Sequence, residues 1–96
     1  MTQEEVCNYF EKNYPEMDLY ETEKGSFFGG YDGMDQLEIF GTNLVVFCVE
    51  KVKGKYVPKQ KYFSFVNSTE EELKEFLEKY LYFFYSVYSI ICTSGV

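Results

Sequence analysis

The sequence predicts an α+β domain. The expected order is an N-terminal helix, a four- to five-stranded antiparallel sheet, and a long C-terminal helix packed on one sheet face. Three observations carry this expectation. Residues 44–49 are six apolar residues in a row, β-branched and aromatic, and short enough for one buried strand. Lys53-Gly54 follows and then a second extended stretch, the pattern of a hairpin closed by a glycine-containing tight turn. Capping-box sequences stand at both ends of the chain, Thr2 with Glu5, and Ser68 with Glu71 or Thr69 with Glu72.

Helical spacing of Val6, Tyr9, Phe10 and Asn13 or Tyr14 follows the first capping box, and Pro15 ends that helix by disfavouring the helical region for Tyr14. Residues 17–23 read as a strand with Met17 and Leu19 on one face and Asp18 and Tyr20 on the other. After a turn at Lys24-Gly25-Ser26, residues 27–31 read as a strand interrupted by Gly29-Gly30, a pair that marks a bulge or a close backbone approach. Asp32-Gly33-Met34-Asp35 has turn composition, and 36–40 is a strand with Leu37 and Ile39 on one face. The segment Gly41-Thr42-Asn43 either turns the chain or places a bulge in one long strand, and the turn is favoured. The run 44–49 is expected to be a central strand covered on both faces. In the second hairpin arm Pro58 cannot donate to a ladder, which places it at a sheet edge beside Lys53, Lys55, Lys59 and Lys61. The last helix is expected from about 69 to 92, with Leu73, Leu77, Tyr80 and Phe84 at helical spacing. Its second half carries no charge, and aromatic residues circle it.

Ninety-six residues make one domain, spanning 1–96, with area for a single core. The chain has ten Tyr, ten Phe, and no Trp, His or Arg. Every cation is therefore a lysine, and bidentate guanidinium clamps are excluded. Charge is uneven. Residues 1–50 carry −9, residues 51–67 carry +5 and residues 68–96 carry −3, giving −7 in all. That balance opposes direct nucleic-acid binding, which rests on phosphate neutralisation, and it favours a larger basic protein as partner. Three cysteines, Cys7, Cys48 and Cys92, lack CxxC spacing and read as unpaired thiols of a reducing, cytoplasmic setting. The acidic start of the chain does not read as a signal peptide, no segment reads as a membrane span, and the sequon at Asn67 is then without meaning.

Catalytic patterns are missing. Without His, and without GxSxG or HExxH, neither a nucleophilic triad nor a zinc centre is indicated. The sequence points to a non-enzymatic protein with no cofactor and no metal. The glycines between Gly25 and Gly33 lack the Lys-Ser/Thr of a phosphate loop. Asp32, Asp35 and Glu38 match only part of a calcium loop. Lysines interleaved with Tyr56, Tyr62 and Phe63 resemble a single-strand-binding stripe, against which the total charge argues.

The stronger signal is the acidic half. Asp18, Tyr20, Glu21, Glu23, Tyr31, Asp32, Asp35 and Glu38 are the expected partner-binding residues, with carboxylates for attraction and tyrosines for contact area. The uncharged helix end is expected to form a homodimer interface through Tyr82, Phe83, Tyr85 and Tyr88. The functional expectation is a stoichiometric inhibitor or antagonist of a nucleic-acid-handling protein. It would be a DNA-mimic or anti-defence protein of the kind that viruses and mobile elements carry. The alternative is a small ligand-binding or catalytic domain built on the loop from Gly25 to Gly33.

Overall fold

The computed structural model describes residues 1–81. Helix α1 (Gln3–Asn13) is followed by a short 3-10 turn (Pro15–Met17) and five strands: β1 (Tyr20–Glu21), β2 (Phe27–Gly29), β3 (Leu37–Phe40), β4 (Asn43–Val52) and β5 (Lys55–Ser64). Helix α2 spans 70–81 among the described residues. The strands form one antiparallel sheet in sequence order, a simple meander with β1 and β5 at its edges. The α+β expectation is met, with five strands.

Each helix start follows from its sequence. The Thr2 side chain accepts from the Glu5 N–H at 3.1 Å, and Glu5 accepts from the Thr2 N–H at 3.0 Å. This reciprocal pair satisfies two orphan donors of the first turn. At α2 the box used is Thr69/Glu72, with both bonds at 3.2 Å. Ser68, the other candidate cap, donates its hydroxyl to the Ser64 carbonyl instead, at 2.7 Å. The N-terminal amine reaches the carbonyls of Phe65 (2.6 Å), Val66 (3.2 Å) and Ser68 (3.2 Å), tying the head of α1 to the β5–α2 junction.

Both helices lie on one face of the sheet. Val6 and Phe10 of α1, Leu73, Leu77 and Leu81 of α2, and Leu37, Ile39, Leu44, Val46 and Cys48 of β3 and β4 form one core with Met17 and Phe65. Each such side chain contributes about 1.5–3 kcal/mol of hydrophobic stabilisation when fully buried. Leu44, Val46 and Cys48 of β4 point into this core. Its odd-numbered residues Val45, Phe47 and Val49 point to the other face, where Val45 is buried and Phe47 and Val49 are half-buried. Among the described residues the run 44–49 of β4 is thus fully covered on its helix side and partly covered on the other. It is interior to the sheet, between β3 and β5, but the described residues layer only one face of it with helices.

Two turns set the register. Gly41 and Thr42 form a two-residue loop between Phe40 and Asn43, so this segment is a turn and not a bulge. Lys53 and Gly54, at φ 50° and 81°, close β4 on β5. Positive φ at both central residues is the type I′ requirement, and it matches the twist of the flanking strands. The expected strand over 17–23 shrinks to two residues. Pro15 starts a 3-10 turn, and Asp18 then takes a left-handed φ of 54°, which breaks the alternation before Tyr20. The expected C-terminal helix beyond 81 lies outside the described residues, as does Cys92.

Candidate functional site

The antiparallel register assembles the outer sheet face, opposite the helices. Tyr20 pairs with Phe28, Phe28 with Glu38, Glu38 with Val45, and Val45 with Tyr62. Directly opposed residues in a sheet project to the same side, so these five form one row crossing every strand. Phe40, beside Asn43 and Ser64, lies one step along the face, and Phe47, beside Gln60, lies one step the other way. Tyr20, Phe40 and Tyr62 are 50%, 57% and 64% exposed. Tyr20 and Phe28 stack with ring centroids 6.0 Å apart. The Tyr62 hydroxyl donates to Gln60 Oε1 at 2.6 Å, which fixes the ring on its own strand.

At the β1 end the face runs into an acidic cleft of about 280 Å³ lined by Glu16, Asp18, Tyr20, Asp32 and Asp35, together with Met17, Gly30, Gly33 and Met34. The Tyr20 hydroxyl donates to both carboxylate oxygens of Asp35, each at 2.9 Å. That hydrogen bond to Asp35 pushes the phenol's pKa above the usual tyrosine range. The only ion pair among the described residues is Lys61–Glu50 at 2.7 Å. The cleft carboxylates and Glu38 therefore have no lysine partner among those residues. No three His, Cys, Asp or Glu converge as a metal-binding group among the described residues.

The expected partner-binding residues separate into groups. Asp18, Tyr20, Asp32 and Asp35 meet at the cleft. Glu38 sits on the outer face, half-buried between Phe28 and Val45. Glu21 alternates away from Tyr20 toward the helix side of the sheet edge, and Glu23 is exposed in the β1–β2 turn. Tyr31 is half-buried and packs against the core. The acidic residues thus do not form one continuous face. The expected dimer residues Tyr82, Phe83, Tyr85 and Tyr88 lie outside the described residues.

The glycine loop has a structural role. A Cβ at Gly30 would run into the Met34 carbonyl oxygen and come within 2.8 Å of the Gln36 nitrogen. Gly30 donates its N–H to the Met17 carbonyl at 2.9 Å, docking the loop on the 3-10 turn. This is the close backbone approach that paired glycines signal. The cleft beside it is open and lined mostly by polar surface, unlike the enclosed apolar pockets that hold small ligands.

The lysine–aromatic stripe comes apart in the same register. Tyr56 and Tyr62 project outward, with Lys51 opposite Tyr56, while Lys55, Lys59, Lys61 and Phe63 project to the helix side. Lys61 pairs with Glu50 and lies 5.5 Å from the centre of the Tyr80 ring. Its hydrogen bond to Glu50 raises its pKa above the usual lysine range, and the same bond lowers that of Glu50.

No protein-family model, curated protein or solved structure matches the chain. Among the described residues no helix is long and apolar enough to cross a membrane.

Sequence reasoning missed Phe28, Phe40, Val45, Phe47 and Tyr62 as members of the outer face. The usable signal is in the two-residue loops. Once Gly41-Thr42 and Lys53-Gly54 are taken as hairpin turns, the opposed pairs follow, and Glu38, Val45 and Tyr62 fall in one line.

Proposed function

We propose that this protein is a non-enzymatic, acidic protein-binding module of the cytoplasm that acts by stoichiometric contact with a larger basic protein. The reading is carried by the cleft: Glu16, Asp18, Asp32 and Asp35 gather at one open site with no lysine pairing them among the described residues. Carboxylates held together without counter-charges attract a cationic surface over roughly a Debye length, about 8–10 Å at physiological salt. A protein that handles nucleic acid presents such a surface in its phosphate-binding cleft, so the action proposed is inhibition or antagonism of that class of target. The tyrosine beside the acids supplies contact area that is desolvated on binding.

The test is association kinetics with the basic protein that co-purifies with the chain from its native source, comparing the parent with Asp32→Lys/Asp35→Lys. The variant is expected to associate at least about tenfold more slowly at low salt, with a flatter salt dependence. An on-rate that is unchanged at low salt, in a variant that circular dichroism shows to be folded, contradicts the reading.

A further inference from the structure

We infer that the outer sheet face is the docking surface for a segment of the partner in which Lys or Arg side chains alternate with apolar ones; the inference rests on the basic-partner reading above. A solvated face of an antiparallel sheet is ordinarily polar. Here it presents Tyr20, Phe40 and Tyr62 at half exposure or more, with half-buried Phe28 and buried Val45 between them. At typical aromatic areas these three rings alone expose on the order of 300 Å². The largest apolar patch of a soluble protein is ordinarily of that order and is often functional.

Charge decides the occupant. Glu38 stands in the middle of the row, half-buried, flanked by Phe28 and Val45, and no lysine pairs with it among the described residues. A carboxylate set among rings is complemented by a cation that lies over an aromatic face and reaches its oxygens. Asp35, held by the Tyr20 hydroxyl, extends the same charge at the β1 end of the row. A second copy of this chain docked face to face would bring like carboxylates together. A nucleic-acid strand suits the rings but sets its phosphates against Glu38, while Lys55, Lys59 and Lys61 project from the opposite side of the sheet and Lys51 shares the outer face only at the far end of the hairpin, opposite Tyr56. At about 4.8 Å between strands the five-residue row spans about 19 Å, the length of about six extended residues. The occupant is thus a short cationic–apolar peptide segment.

The experiment is a ¹H–¹⁵N NMR titration of the full chain with synthetic peptides about twelve residues long, enough to overlap the row. One alternates leucine with arginine, its counterpart alternates leucine with glutamate, and an oligothymidylate of similar length is the third probe. The arginine peptide is expected to shift the amides of Tyr20, Phe28, Glu38, Val45 and Tyr62. Glu38→Lys is expected to weaken it at least about tenfold, as is Tyr62→Ser, whereas Glu75→Lys on exposed α2 makes the same charge change without effect. Glu38→Gln, the milder variant, should weaken it in the same direction. If the peptide instead maps to the Asp32–Asp35 loop and ignores Glu38→Lys, the sheet-face inference is overturned while the basic-partner reading stands. Failure of the arginine peptide to bind, or equal binding of the glutamate peptide or the oligothymidylate, overturns the inference. Concentration-dependent shifts of the same amides without peptide overturn it in favour of a second copy.

Discussion

Replacing Gln36 with methionine should stabilise the fold. Gln36 precedes β3 and is fully buried, and neither its side-chain nitrogen nor its oxygen has a hydrogen-bond partner among the described residues. Its backbone is well placed, with the N–H donating to the Gly29 carbonyl at 2.8 Å and the carbonyl accepting from Phe47 N–H at 2.9 Å. A substitution that keeps the backbone and the chain length of the side chain removes only the amide. An unpaired buried polar group costs about 1–3 kcal/mol, and methionine fills irregular space with little strain. For a domain of this size about 1 kcal/mol moves Tm by roughly 4–8 °C. Gln36→Met is therefore expected to raise Tm by about 4 °C or more, and to move the urea midpoint upward with the slope m unchanged. Thermal circular dichroism and urea titration read both quantities. A lowered Tm at constant m would refute the reasoning, because it would mean that the amide makes a stabilising interaction.

The other predictions are independent of that one. Gly30→Ala should be severely destabilising, by several kcal/mol, since its Cβ meets backbone atoms of Met34 and Gln36 rather than a movable side chain; urea denaturation measures it, and an effect of about 1 kcal/mol or less contradicts the packing described. Burial holds the thiol pKa of both Cys7 and Cys48 above the usual range, and Cys48 is the more enclosed. Alkylation mapped by peptide mass spectrometry should therefore modify Cys7 before Cys48, and the reverse order would contradict the packing of β4 against the helices. The pH dependence of the Lys61–Glu50 pair has a definite sign. The folded pKa of Glu50 is lowered, so its contribution is present above the ordinary carboxylate range and fades as pH falls through the folded value, below about pH 4. The folded pKa of Lys61 is raised, so its contribution is full below the ordinary lysine range and fades as pH rises through the folded value, above about pH 10. The Tm difference between the parent and Glu50→Gln should shrink at both extremes, and a difference that stays constant across the whole acid range contradicts it.

Much of the fold is legible in the chain because local chemistry and global packing agree. Thr2 and Glu5, Thr69 and Glu72, Lys53 and Gly54, and Gly41 and Thr42 each declare an end or a turn, and each does so in the structure. Less legible was the short β1, because the left-handed Asp18 after the Pro15 turn interrupts an alternation that reads as one strand. The candidate face was legible only in part. Period-two alternation separates Leu37 and Ile39 from Glu38 and Phe40, but it does not say which side the helices cover. Because β4 is apolar on both sides and aromatic residues occupy both faces, hydrophobicity alone points to a strand buried twice. The acidic residues were visible as a group, yet Glu21 and Tyr20 are neighbours in sequence on opposite sides of one strand. Grouping carboxylates by proximity in the chain merged sites that the sheet divides.

The central claim is that the outer sheet face and its adjoining acidic cleft form the contact surface. Hydroxyl-radical footprinting of the chain, alone and bound to its basic partner, tests this directly, because the exposed rings of Tyr20, Phe40 and Tyr62 are themselves the reactive reporters. The account predicts that oxidation of these three falls at least about fivefold in the complex, while Tyr56 at the far end of the hairpin, similarly exposed, changes little. Unchanged oxidation of Tyr20, Phe40 and Tyr62 in a saturated complex would contradict it.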